Sequence, residues 1–170
     1  MKYLKIIPIL LIFFGILPNK FSVNAEVNNQ NEYKVFSNNK KLSISNVKYY
    51  LKKGDDSIKG GDFDKAKEYY LDARKLAKQL ASFYSDLNSV FTGVDARIPI
   101  EMQKKGKKTL QIIAETNARL ASLYIKNETP EVAVPLLIET IRIMSPNTQE
   151  GKEAYKKLIQ LGFVETTYKG

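Results

Sequence analysis

The chain has 170 residues, with 27 Lys and Arg against 18 Asp and Glu, a net charge of +9, and no cysteine, histidine or tryptophan. Disulfides are thereby excluded, so a core must hold by packing alone. Zinc sites built on thiol or imidazole, and Ser-His or Cys-His nucleophile pairs, are excluded with them.

The first 25 residues have the three-part plan of a secretory signal peptide: Lys2 and Lys5, an apolar run from Ile6 to Leu17, and small residues at Val23-Asn24-Ala25. As a helix the run would rise about 18 Å, short of a hydrocarbon core of about 30 Å, and Pro8 and Gly15 interrupt it. Cleavage after Ala25 is expected, with export by the Sec route to the periplasm or, in a photosynthetic bacterium, the thylakoid lumen. It removes Lys2, Lys5 and Lys20 and no acid, leaving a net charge of +6. So mild a basic balance in an exported protein does not argue for nucleic acid.

Residues 26–44 read as a polar, asparagine-rich leader. Residues 45–170 read as one helical domain. Val47, Tyr50, Leu51, Gly54 and Ile58 share one face of a first helix, with Ser45 as its N-cap and Gly60-Gly61 as its stop. Asp62 or Asp64 caps a second helix, which should run to Val90 or Phe91. Its apolar seam is Ala66, Tyr69, Ala73, Leu76, Leu80, Phe83, Leu87 and Val90. A connection containing Gly93 and Pro99 leads to a third helix, about Glu101 to Lys126. Gly106 should fray it, and Asn117 interrupts its stripe as either a buried polar anchor or a wet spot. A fourth helix opens at Thr129-Pro130 and stops before Pro146, with Pro135 expected to kink or roughen its start. A fifth has Asn147 and Glu150 at capping-box spacing, buries Ala154, Leu158 and Ile159, and ends at Gly162. The prediction is an all-α fold of antiparallel helix-turn-helix hairpins, with long inner helices and a C-terminal capping helix.

Gly54, Gly61, Asp62, Phe63, Ala66, Tyr70 and Ala73 resemble the signature of a tetratricopeptide repeat, a 34-residue helix-turn-helix unit, over about residues 47–80. A second, degenerate match covers about 114–147, on Leu120, Ala121, Tyr124, Ala133, Leu137 and Pro146, with Glu128-Thr129-Pro130 in place of the Gly-Asp-aromatic turn. The resemblance implies close backbone packing at Gly54, Ala66 and Ala73. It places partner-facing positions at Lys48, Leu51, Asp55, Ile58 and Lys59, and at Glu115, Ala118, Ser122, Ile125 and Lys126. The Lys/Asn clamp by which some members hold a terminal carboxylate is not reproduced, since Asp55 and Ser122 stand where asparagine is wanted. An ordinary helical bundle with one such turn remains the alternative fold reading.

No site for chemistry stands out. Asp55, Asp56, Asp62 and Asp64 crowd the first hairpin, yet Asp62 and Asp64 suit a helix start and no loop has EF-hand spacing. Lys104, Lys105, Lys107 and Lys108 form a basic run that reads as a solvated helix face, or as a contact for an anionic surface. Of each pair Tyr49-Tyr50 and Tyr69-Tyr70, one ring is expected inside and one outside. The expected function is a non-enzymatic, exported adaptor without metal or cofactor, binding another protein and assisting an envelope or membrane complex. The alternatives are a structural bundle subunit, such as a lumenal photosystem subunit, and an enzyme using carboxylates alone.

Overall fold

The computed structural model describes residues 42–169, which form five α-helices: α1 (Ile44–Lys59), α2 (Phe63–Phe91), α3 (Arg97–Lys126), α4 (Pro130–Met144) and α5 (Gln149–Gln160). The expected signal peptide and most of the leader lie outside the described residues. No strand occurs among the described residues, and none of their helices is long and apolar enough to cross a membrane.

Each helix packs chiefly on its neighbours in sequence, α1 on α2, α2 on α3, α3 on α4 and α4 on α5. The result is a series of antiparallel hairpins. Close packing in the first one rests on a missing side chain. A Cβ added at Gly54 would lie 2.3 Å from Cε1 of Tyr70, so only glycine lets that ring, 3% exposed, pack where it does against α1. Ala66, Ala73 and Ala77 are fully buried beside it, where larger residues would hold the helices apart.

α1, α3 and α5 end in the same way. Gly61, Glu128 and Gly162 have φ of 78°, 58° and 76°. In each case that residue's N–H bonds the carbonyl three back, and the next N–H bonds the carbonyl five back: Gly61 to Ile58 and Asp62 to Ser57, Glu128 to Ile125 and Thr129 to Tyr124, Gly162 to Ile159 and Phe163 to Leu158. This is the paired bonding of a Schellman ending, which satisfies carbonyls a helix terminus leaves open. From 61 to 128 is 67 residues, and from 128 to 162 another 34. The chain thus reverses by one geometry three times, although only two of the three turns have glycine.

The helix starts correct several expectations. Ser43, not Ser45, caps α1 by accepting from the Asn46 N–H, and Asp62 caps α2 by accepting from the Lys65 N–H. Thr148, not Asn147, caps α5 by accepting from the Gly151 N–H. α3 begins at Arg97, four residues early, with Pro99 inside its first turn where a missing N–H costs nothing. It also runs unbroken through Gly106, which lies against Tyr84. α4 spans Pro135, whose ring is exposed, and opens on a tightened turn in which the Val132 N–H bonds the Thr129 carbonyl three back.

In α2 the buried residues are Ala66, Tyr70, Ala73, Ala77, Leu80 and Tyr84. Tyr69, Leu76 and Leu87 of the expected seam are half-buried, and Phe83 and Val90 are exposed. The seam turned because α2 lies between α1 and α3, so its covered face is wider than one heptad line and centred elsewhere. Tyr70 and Tyr50 are the inner rings of their pairs; Tyr49 is exposed and Tyr69 half-buried.

The antiparallel registers leave α2 and α3 longer than their neighbours. Gly54 opposite Tyr70 puts Ile44 near Leu80, and Asn117 opposite Thr140 puts Met144 near Ile113. Beyond those levels residues 81–109 form a two-helix arm, held by Tyr84 against Gly106 and by Gln103 Nε2 donating to Asn88 Oδ1 at 3.2 Å.

Candidate functional site

A groove of about 490 Å³ opens along the C-terminal halves of α1 and α3 and the first turns of α5. Its floor is apolar: Ile58 from α1, Phe63 and Tyr70 from α2, Ala114, Ala118 and Leu123 from α3, Leu137 from α4 and Ala154 from α5. Its rim carries Glu115, Arg119 and Lys126 of α3 with Glu150, Glu153 and Lys157 of α5. The repeated helix endings bring these elements side by side, since α1, α3 and α5 run in the same direction.

The rim cations are already engaged. Arg119 Nε donates to Asp55 Oδ1 at 2.9 Å and its Nη2 to Asp55 Oδ2 at 3.3 Å, tying α3 to α1. Tyr70 Oη donates to the same Asp55 Oδ1 at 2.7 Å, so all three of the first helices meet at one carboxylate. Burial would raise the Asp55 pKa, but the hydrogen bonds from Arg119 and Tyr70 and the guanidinium charge outweigh it and hold the carboxyl below its ordinary value. Burial, aided by that carboxylate, pushes the Tyr70 hydroxyl well above the usual phenol range. The Lys126 ammonium lies 4.2 Å from the centre of the Phe63 ring, and Lys157 Nζ donates to Ser122 Oγ at 3.0 Å. A side chain entering the groove therefore meets pre-set cations and an apolar floor, which suits an apolar anchor flanked by polar groups.

A second polar cluster ties α2, α3 and α4 together. Asn117 is fully buried and accepts from Arg74 Nε at 2.8 Å while its Nδ2 donates to Glu139 Oε2 at 2.9 Å. Arg74 Nη2 and Lys78 Nζ donate to the two oxygens of Glu139 at 2.5 and 2.7 Å. Burial would raise the Glu139 pKa, but the hydrogen bonds from Lys78, Arg74 and Asn117 hold it down at about 2. Of the two readings of Asn117, the structure takes the buried one. No buried side-chain polar atom lacks a partner among the described residues.

Of the sequence-derived positions, Ile58, Glu115, Ala118, Ser122 and Lys126 line the groove and Asp55 holds its Arg119. Lys48 and Lys59 are exposed outside it, and Ile125 is half-buried outside it. Leu51, expected to face a partner, is instead 5% exposed in the core, because α1 turns that face onto α2. The packing positions Gly54, Ala66, Tyr70, Ala73, Ala121 and Ala133 are buried; Phe63 and Tyr124 are half-buried, and Gly61 is exposed in its turn. Sequence reasoning missed Arg119, for which no local signal existed. It also missed α5, read only as a cap, which the 34-residue spacing from Glu128 to Gly162 could have marked as a third equivalent helix.

The four acids of the first hairpin each have a structural task. Asp55 takes Arg119, Asp62 caps α2, Asp64 accepts from Lys67 Nζ at 3.0 Å and Asp56 stands 3.9 Å from Lys59. Among the described residues no group of three or more acids could hold a metal ion. Lys104, Lys105, Lys107 and Lys108 are exposed on the arm, away from the groove. Comparison with protein-family models, with curated proteins and with solved structures gives no match for this chain.

Proposed function

We propose that the chain is an exported, non-enzymatic helical-repeat protein of the tetratricopeptide kind. Its groove holds a segment of another protein and thereby assists assembly or stability of an envelope or membrane complex. The observation that carries the reading is the groove itself, apolar in its floor and charged at its rim, bounded by three helices that end identically. Repeat arrays present their partners with such a surface, built from the equivalent helix of successive units. The three endings, the small residues at Gly54, Ala66, Ala121 and Ala133, and the serial packing support the family reading. The unequal spacing, 67 residues and then 34, reflects the long α2–α3 arm occupying the place of a middle repeat.

The test is site-specific photo-crosslinking from Ser122 in the native compartment. A discrete protein adduct is expected, and Ala118→Arg, which fills the groove from an exposed position, should abolish it without lowering the melting temperature. The reading fails if no adduct forms or if the adduct survives Ala118→Arg.

A further inference from the structure

At the free end of the arm, Val90, Val94 and Ile100 are 68%, 77% and 66% exposed. Isolated exposed apolar residues are ordinary, but three at one tip form a patch. The contacts that hold the arm run between its own two helices, Tyr84 against Gly106 and Asn88 with Gln103, and leave the patch outside. Directly behind it α3 carries Lys104, Lys105, Lys107 and Lys108, all exposed.

The charges around the patch are not self-cancelling. Arg97 pairs with Asp95 and Lys105 with Glu101, whereas Lys104, Lys107 and Lys108 make no ion pair among the described residues. Residues 83–108 hold three acids, Asp86, Asp95 and Glu101, against five Lys and Arg, and Asp86 accepts from Ser82 Oγ. At 1.5 Å per residue the lysines stand about 6–12 Å behind Ile100 along the helix. Apolar anchors enter the acyl boundary of a bilayer by about 5–10 Å, so that spacing sets ammonium groups at headgroup level when the tip is inserted. A soluble polyanion would satisfy the lysines and leave the valines in water. A neutral protein pocket would take the valines and leave the lysines unused.

We propose that the tip of the α2–α3 arm docks on an anionic lipid bilayer, with Val90, Val94 and Ile100 entering the interface and Lys104, Lys107 and Lys108 lying against lipid phosphates. This goes beyond the groove reading, uses no groove residue, and can hold or fail independently of it. The arm would stand on the membrane and present the groove away from it.

The absence of tryptophan makes a clean probe possible. In the full chain carrying Val94→Trp, mixing with vesicles of equal parts phosphatidylglycerol and phosphatidylcholine should shift emission to shorter wavelength, and brominated acyl chains should quench it. Val132→Trp on α4 should show neither effect, so any membrane affinity of residues 1–41, common to both chains, is not mistaken for docking of the tip. Changing Lys104, Lys107 and Lys108 together to glutamate should weaken the Val94→Trp response at least about tenfold, as should Ile100→Asp. All these side chains are exposed, so thermal unfolding should be unchanged. Equal response on phosphatidylcholine alone, indifference to Ile100→Asp, or binding of heparin with no emission change on vesicles would overturn the proposal.

Discussion

Asp55 and Arg119 lie 64 residues apart in the chain and share two hydrogen bonds, Nε to Oδ1 at 2.9 Å and Nη2 to Oδ2 at 3.3 Å. The pair joins α1 to α3 beside the groove, and Tyr70 completes it. Asp55→Ala removes the acceptor of both partners and should lower stability by about 1–2 kcal/mol in urea unfolding. Asp55→Asn keeps an acceptor for Tyr70 and should lose about half as much. A double-mutant cycle with Arg119→Ala should return a coupling of about 0.5–1 kcal/mol, because both side chains are part-exposed. Zero coupling would mean that the bridge holds nothing together.

At Gly54 the Tyr70 ring of α2 packs against the backbone of α1. Alanine is the better helix former by about 1 kcal/mol. Against that, its methyl would fall 2.3 Å from a ring that is itself pinned through its hydroxyl to Asp55. Gly54→Ala should therefore destabilise by a net ~1–3 kcal/mol, and Gly54→Leu by more, read as a lower urea midpoint at constant slope. A stabilised alanine variant would show that the helices are free to part.

Glu128 occupies the left-handed position that glycine fills in the two equivalent turns. A side chain there costs about 1–2 kcal/mol, of which glycine's greater unfolded-state freedom returns part. Glu128→Gly should raise stability by about 0.5–1 kcal/mol, measurable as a higher melting temperature, with no change in circular dichroism.

Glu139 gives stability a definite pH dependence. Its pKa is about 2 in the folded protein against an ordinary 4.5, so the folded state favours the ionised form. The contribution is complete above the ordinary value and is lost as pH falls through 4 towards 2. Its size at neutral pH is up to about 3 kcal/mol. Glu139→Gln should be less stable than the parent at pH 7, and the gap should close steadily below pH 4.5. A gap that is constant with pH would show that Arg74, Lys78 and Asn117 do not hold the carboxylate.

The residue order alone determined five helices, their approximate limits and the reversal at Gly60-Gly61, because each depends on interactions within a few residues: apolar spacing, a cap, a left-handed glycine. It could not say that Leu51 is buried while Ile58 reaches the groove, or that the covered face of α2 passes through Tyr70 and Tyr84. Those depend on the angle at which one helix meets the next. Asp55 with Arg119, and Arg74 with Asn117 and Glu139, are brought together from three helices by turns whose geometry is set one at a time. Small differences at Gly61 or Glu128 would rotate a whole helix and exchange every partner. The groove is therefore a property of the assembled stack, since its walls come from segments that never meet until each intervening hairpin has closed.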